Sequence, residues 1–563
     1  MSDFLVFFGT AENNENAITH SGRFVCCQGA KIYENQHYIG LCDGTVCVKN
    51  FIDSLEETNL EDALKNLNGN FALAVYDKAK DTLLIARDRL GTKQLYFTEN
   101  ADGLWVSTSF TPLFEKQENA IDTVSLQHFF TFSYVPEPLT LGKDIFALEA
   151  GHYALYDKEI EIKKFRKWIP KPDENKDYES FKNDVKNALT QSVKDGLSGC
   201  EKVAAFLSGG LDSSILVTLA SKDYPSIETY TVDFDVKGFS EAGVASRTAE
   251  KLGISHKSIK VDSKLFAESF AEVVRATGVP VADPSIVAVS LIAKGVADNG
   301  EYDAVLSGEG SDELWGGYHV YNPPEFEKKI ASLPTPLKKV LWFFVKMLPK
   351  NTKGRGAFYR GCVPLKDRYV GNTFVFTEKE KKKLLKNIDK KVCFRDITRP
   401  YFEDVKGLDN MHAMQYIDTC LWLPGDINVV AGKNGAYRGL NVIMPFTDNR
   451  VTELAEKLTV SDKLNGTRNK RVLRDTFEDI LTKEVVDGKK KGYPVPVRLW
   501  LRDELNDWAK DIIARADVDN YINKAEAYRL LEICKKNEKD IHTYRKVWSI
   551  LTFCMWMIEN KGE

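Results

Sequence analysis

The residues best suited to chemistry stand together in one run. Seven consecutive positions, Ser208-Gly-Gly-Leu-Asp-Ser-Ser214, follow the apolar stretch Val203-Ala-Ala-Phe-Leu207 and lead into the helix-like Ile215 to Ala220. A strand, a glycine turn and a helix start make an anion site. Gly209 and Gly210 remove side chains so that backbone N–H groups can face phosphate oxygens, with Leu207 and Ser208 at the strand's end. Ser213 and Ser214 add hydroxyl donors near the positive end of the coming helix. A Walker loop would place a lysine after its last glycine. This loop carries Asp212, which repels phosphate unless a magnesium ion lies between them. A second cluster, Ser307-Gly-Glu-Gly-Ser-Asp-Glu313, follows the apolar Ala304-Val-Leu306. It brings Ser307 and Gly308 to a strand end and supplies Glu309 and Asp312; alone, it would read as a surface loop. A third stretch, Asp487 to Pro496, sets Lys489, Lys490 and Lys491 in a Gly/Pro frame too polar for a core. One of these lysines could reach an α-phosphate, although by itself the stretch reads as a solvated turn.

These groups act together only if the chain folds them to one place. Strand-like runs at Val203 to Leu207, Thr229 to Phe234, Lys257 to Val261 and Ala304 to Leu306 alternate with helix-like stretches such as Glu241 to Leu252 and Ser285 to Asp298. The alternation predicts a doubly wound parallel sheet with helices on both faces. The carboxyl ends of parallel strands share one edge, so Asp212 and Asp312 can converge and share one Mg2+. Such an ion would bridge the phosphates of ATP and neutralise the charge on departing pyrophosphate. Upstream, from Phe4 to about Tyr156, short alternating strands predict an antiparallel domain. The charged, proline-bearing segment 166–179 between the two patterns is expected to be a linker.

Composition narrows the classes further. A chain of 563 residues exceeds what one core usually supports, so two domains with helical additions are expected. The net charge of −4 gives no general attraction to nucleic acid or to anionic membranes. No basic, cleavable leader precedes Phe4, and the spread of the ten cysteines suits reduced thiols, so a cytoplasmic location is expected. The longest apolar run, Val340 to Val345 and its neighbours, is too short to span a bilayer and predicts a core helix. The lysine-dense 378–391 predicts a solvated helix face. The terminal Arg545 to Glu559, with Trp548, Leu551, Met555 and Met557, predicts a buried packing helix.

Taken together, these segments resemble the asparagine synthetase family, the glutamine-dependent kind. The likeness spans nearly the whole chain and includes Leu67-Asn-Gly-Asn-Phe-Ala72, Ala86-Arg-Asp-Arg-Leu-Gly91, Ala282-Asp-Pro-Ser285, Pro445-Phe446 with Asp448, and Lys490 with Gly492-Tyr493-Pro494. The resemblance implies an N-terminal-nucleophile (αββα) glutaminase-like domain over 1–165, the linker at 166–179, and an ATP pyrophosphatase domain over 180–563. It also implies a carboxylate attacking the α-phosphate of magnesium ATP to give an acyl-adenylate, which an amine opens to an amide. By position, Ser208 to Ser214 would hold pyrophosphate, Asp212 and Asp312 the metal, and Lys490 the charge on the adenylate, with Lys489 and Lys491 as alternatives. Glu309 would guide or deprotonate the amine. Val232, Asp233 and Phe234 would lie beside the nucleoside. Family likeness favours a dimer.

The departures from the family pattern are equally specific. Family glutaminases begin Met-Cys-Gly, whereas this chain begins Met1-Ser2-Asp3, and serine is a far weaker nucleophile. The Arg-Gly-Pro-Asp, Asn-Gly-Glu-Ile-Tyr-Asn and Ser-Asp-Thr-Glu runs are missing. A glutaminase scaffold without its reaction is therefore expected, with ammonia arriving free or from a partner glutaminase. Farther on, Gly432-Lys433, Asn441 and Ile443 replace charged family residues, and this stretch is expected at the substrate wall, so aspartate need not be the acceptor. Three readings follow: an amide synthetase, a ring-closing relative like beta-lactam synthetase, and an inactive scaffold or regulator. Glu309 weighs against the second, and the intact phosphate loop and carboxylates weigh against the third.

Overall fold

The computed structural model describes residues 3–9, 18–20, 24–28, 32–349, 352–488, 492, 494–537, 540 and 542–561. The sequence-assigned Ser2 and Lys489 to Lys491 lie outside the described residues.

Alternation at period two builds the N-terminal half. In the strand Phe71–Asp77, Ala72, Ala74 and Tyr76 face one core while Phe71, Leu73 and Val75 face another. The neighbouring strand Thr82–Arg87 repeats this, with Leu83 and Ile85 on the first face and Leu84 and Ala86 on the second. Two six-stranded antiparallel sheets stack through the first core, where Phe4, Val6 and Phe8 meet Leu104 and Val106. The helices Val48–Glu57 and Leu60–Asn66 cover the outer face of one sheet. On the other side, Thr111–Lys116 and Thr123–Phe132 bury Phe114, Phe129 and Phe130 in the core shared with the C-terminal half. The layers are helix, sheet, sheet, helix.

The C-terminal half holds a five-stranded parallel sheet. Its spatial order is Ser255–Val261, Glu228–Phe234, Val203–Phe206, Ala304–Leu306, Val442–Ile443. The chain winds outward in one direction from the central Val203–Phe206, then returns to its other side at Ala304–Leu306. This reversal opens a crevice at the carboxyl ends of those two adjacent strands, the usual ligand position in such sheets. Both candidate loops emerge there. The helix Thr543–Lys561 buries Trp548, Leu551, Met555 and Met557, as the sequence predicts.

The two halves share an extensive polar seam. Asn428 Nδ2 donates to the Leu90 carbonyl at 3.0 Å, Gln94 Nε2 to the Pro424 carbonyl at 3.0 Å, and Trp168 Nε1 to the Thr452 carbonyl at 3.0 Å. Within the Ala86 to Gly91 segment, Asp88 caps its own turn by accepting from the N–H groups of Leu90 and Thr92, and Arg89 pairs with Glu456 across the seam.

Two helical expectations require correction. The apolar run ends up in the helix Thr335–Val345, where Val345 is the only buried residue, so it is not a core helix. The lysine-dense run forms a helix only over Glu378–Leu384, and Lys381 is fully buried, donating to the Gln127 carbonyl at 3.1 Å. Among the described residues, no helix is long and apolar enough to cross a membrane.

Candidate active site

The glycine loop leaves its strand as the sequence predicts. Gly209 has φ +74°, and a Cβ there would lie 2.8 Å from the Val244 side chain and 2.9 Å from the Ala245 nitrogen, so only glycine fits the turn. Ser213 Oγ lies 3.3 Å from both the backbone nitrogen and the Oγ of Ser208, closing the loop on itself. The helix Leu211–Ala220 starts with Asp212 in its first turn. Opposite, Ser307 donates its N–H to the Ile443 carbonyl at 2.9 Å, ending the neighbouring strand, and Gly308 lets the second loop approach Asp212 closely.

The two aspartates converge, and the group between them is a lysine that sequence reasoning missed. Lys470 Nζ lies 2.7 Å from both carboxylate oxygens of Asp212 and 2.6 Å from Oδ1 of Asp312. Ser311 Oγ donates to Asp212 at 2.8 Å. Lys470 is 3% exposed, so its ammonium is largely withdrawn from water and held by charge pairing. Its backbone sits at φ +55°, a left-handed conformation that costs a non-glycine residue about 1 kcal/mol and tends to persist at functional sites. Asn469 helps to hold it there, donating from Nδ2 to the carbonyls of Gly317 at 2.8 Å and Tyr318 at 3.1 Å. Gly317 is required by contact: a Cβ would fall 1.8 Å from Asp312 Oδ1 and 2.3 Å from Lys470 Cε.

A cavity of about 530 Å³ opens beside this cluster, lined among others by Leu207, Ser208, Asp212, Ser213, Ser307, Gly308, Glu309 and Asp312. The Ala282-Asp-Pro-Ser285 segment forms another wall, tied to the N-terminal half by the Ala282 N–H donating to the Ser133 carbonyl at 2.7 Å. Tyr318, Trp422, Asn372 and Thr373 complete a wall of aromatic and neutral polar groups, and Arg545 is the one cation in the described lining.

Not every sequence-assigned residue reaches the cavity. Val232, Asp233 and Phe234 do not line it: Asp233 accepts from Ser240 Oγ at 2.5 Å, and Phe234 packs edge-on against Trp500 at 5.9 Å. Phe206 and Phe239 supply the aromatic lining on that side. Ser214 is fully buried beneath the loop. The expected substrate wall at 432–443 also needs correction, since Lys433 donates to the Thr108 carbonyl at 2.6 Å and pairs with Asp3, Asn441 accepts a strand bond from the Val305 N–H through its carbonyl, and Ile443 lies in the sheet. Those substitutions therefore act at the seam between the halves and at the sheet edge. No residue of 432–443 lines the cavity; from the wider stretch 423–446 only Ile427 and Val430 do.

A buried network braces the Asp312 loop from behind. Gln415 Nε2 donates to the Glu313 carbonyl at 2.7 Å and receives Lys463 Nζ on its oxygen at 2.7 Å. Burial lowers the Lys463 ammonium to about 7. Burial and the adjacent Asp312 charge raise the Glu313 carboxyl to about 7, partly offset by the Tyr318 hydroxyl that donates to it at 2.6 Å. A carboxyl raised by folding favours the protonated native state. Its contribution to stability is full below about pH 4.5 and is lost as pH rises towards 7. Glu313 should therefore pull the Tm down between about pH 4.5 and 7, and Glu313→Gln should remove about 2 °C of fall across that window, read by differential scanning fluorimetry. Asp418, likewise raised to about 7 by burial, maintains a residual slope. Parallel pH profiles for variant and parent would refute this account of Glu313.

The chain matches the family described as asparagine synthase over residues 184–558 and the glutamine amidotransferase domain over residues 33–168. It is 35% identical over 499 residues to asparagine synthetase (glutamine-hydrolyzing) 1 of Bacillus subtilis, covering 88% of this chain and 78% of that protein. It is 22% identical over 494 residues to asparagine synthetase (glutamine-hydrolyzing) 3 of the same organism, covering 84% and 75%. To the amidase chyE of Penicillium rubens it is 26% identical over 512 residues, covering 81% and 74%.

Proposed function

The chain belongs to the asparagine synthase family, and from that premise we propose that it activates a carboxylate with ATP, releases pyrophosphate and passes the acyl group to ammonia or another amine. The observation that carries this reading is the meeting of Asp212 and Asp312 around one cationic group at the mouth of the cavity. Two carboxylates that already hold an ammonium at hydrogen-bond distance offer the hard oxygen donors that suit Mg2+. Among the described residues, no group of three or more metal-binding side chains assembles, so phosphate oxygens and water would complete the coordination. When bound, the ion would neutralise the pyrophosphate leaving group.

The chain's own groups do the rest. The backbone N–H groups of the Ser208 to Ser213 turn, together with its hydroxyls, orient the phosphates. Lys470 supplies a positive charge at the same place, and its single charge can yield to a divalent ion and turn towards phosphate. Glu309 lines the cavity three positions from Asp312 and accepts weakly from Ser307 Oγ at 3.4 Å. It is assigned to receive a proton from the attacking amine. Lys490 retains its proposed role at the adenylate.

The N-terminal half, proposed as residues 1–165, is assigned to bracing rather than to glutamine hydrolysis. Burial would raise the Asp3 carboxyl, but the Lys433 ammonium and the Ser109 and Thr108 hydroxyls hold it below the ordinary range, as a structural anion. The Cys42 thiol is pushed up to about 12 by burial and by Asp43, so it is no ready thiolate. The amidase among the relatives supports leaving the acceptor open beyond aspartate.

Pyrophosphate release should be screened across carboxylates with ATP and Mg2+, comparing ammonium with glutamine. Ammonium should support amide formation, and glutamine should give less than about a tenth of that rate. Equal rates would overturn the bracing role. With the acceptor found, Glu309→Gln should retain ATP–pyrophosphate exchange while amide formation falls about 100-fold. Loss of exchange in that variant would place Glu309 in adenylation instead.

A further inference from the structure

Residues 328–366 contain ten lysines and arginines and no aspartate or glutamate, in a chain of net charge −4. They fall within and beyond three short helices, Glu325–Ala331, Thr335–Val345 and Arg355–Cys362, which pack on one another as a ledge. The middle helix is apolar on both sides but covered on one. Val345 is buried and Leu341 and Trp342 are partly covered, with Tyr359 against Trp342. On the opposite side, Leu337, Val340, Phe343 and Phe344 are 50%, 54%, 53% and 62% exposed, and Met347 just beyond is 71% exposed. Scattered exposed apolar residues need no explanation, whereas a contiguous patch marks a surface that meets something.

The charge around the patch selects its occupant. Lys339 and Lys346 flank the apolar side, Lys346 Nζ lies 4.9 Å from the Phe343 ring centre, and the Arg355 guanidinium lies 5.8 Å from that of Trp342. The first helix carries Glu325 and Glu327, paired with Lys328 and Arg360, so the ledge stays strongly basic, and two copies joined through this patch about a two-fold axis would set one basic ledge against another, a repulsive arrangement. Large apolar side chains rimmed by lysine and arginine suit a surface of anionic headgroups over acyl chains. A helix of 11 residues is too short to span a bilayer and would lie in its plane. We propose that this ledge docks the enzyme on anionic lipid bilayers. The chain's overall charge conceals this local attraction.

The test is flotation of the full-length protein with large unilamellar vesicles of phosphatidylglycerol and phosphatidylcholine, against phosphatidylcholine alone, at roughly 0.05 M and 0.3 M salt. Binding should be at least about tenfold stronger on the anionic vesicles and should weaken with salt. The double variants F343S/F344S and K339E/K346E should each lower partition about tenfold, with far-UV circular dichroism and pyrophosphate release unchanged. Failure to bind anionic vesicles at the lower salt would overturn the proposal, as would partition that neither variant changes. Sedimentation velocity in the same buffers provides a further check. A wild-type dimer that F343S/F344S dissociates, with no vesicle binding, would assign the patch to self-association and equally overturn it.

Discussion

Asp312→Asn should lower pyrophosphate release by about a thousandfold while the protein stays folded. Asparagine keeps the shape that the loop accommodates beside Gly317, so the change removes charge and little else. Lys470 remains paired with Asp212 through two contacts of 2.7 Å, which preserves the local structure without ligand. What is lost is half of the anionic pair proposed to hold the divalent ion against the phosphates. A neutral amide cannot replace it, because the leaving group's negative charge rises just as the acyl bond forms. The checks are a pyrophosphate-release assay at saturating Mg2+ and a melting curve. Activity within tenfold of the parent, with the melting point unchanged, would mean that Asp312 is structural.

Lys470→Met should produce the second largest effect on rate and the largest on stability. Methionine fills a similar volume but leaves Asp212 and Asp312 facing each other without a cation. Removing one partner from a buried charge cluster costs about 3–5 kcal/mol, with some relief from the Ser311 hydroxyl and entering water. Release of the left-handed backbone at residue 470 will not offset this, since methionine is no better suited to φ +55° than lysine. Mg2+ should therefore raise the melting temperature of Lys470→Met more than that of the parent, because the ion meets no competing ammonium. Pyrophosphate release should fall about 100-fold or more, through loss of a fixed positive charge beside the phosphates. Equal stabilisation of both proteins by Mg2+ would show that the carboxylate pair is not a divalent-cation site.

Local signals carried much of the fold. The double alternation of Phe71 to Asp77 assigns each face of a sheet to its own core. The phosphate loop is legible because a strand end, two glycines and a helix start are contiguous, and each serves the same geometry. The Ser307 to Asp312 cluster is legible once two strands are accepted as parallel members of one sheet. Charge composition was a weaker guide, since a near-neutral total averages over the basic ledge.

The sequence by itself determined the strands, the two loops and the family, because turn chemistry and side-chain period are properties of neighbouring residues. Only the tertiary structure decided that Lys470 closes the gap between Asp212 and Asp312, since a lone lysine before a helix gives no sign that two loops lying 258 and 158 positions before it will fold around it. It also decided that Lys433 reaches Thr108 rather than the cavity, and that Val340, Phe343 and Phe344 face outward. Apolarity states that a side chain disfavours water, but the packing of the whole chain determines whether another part of the protein is there to cover it.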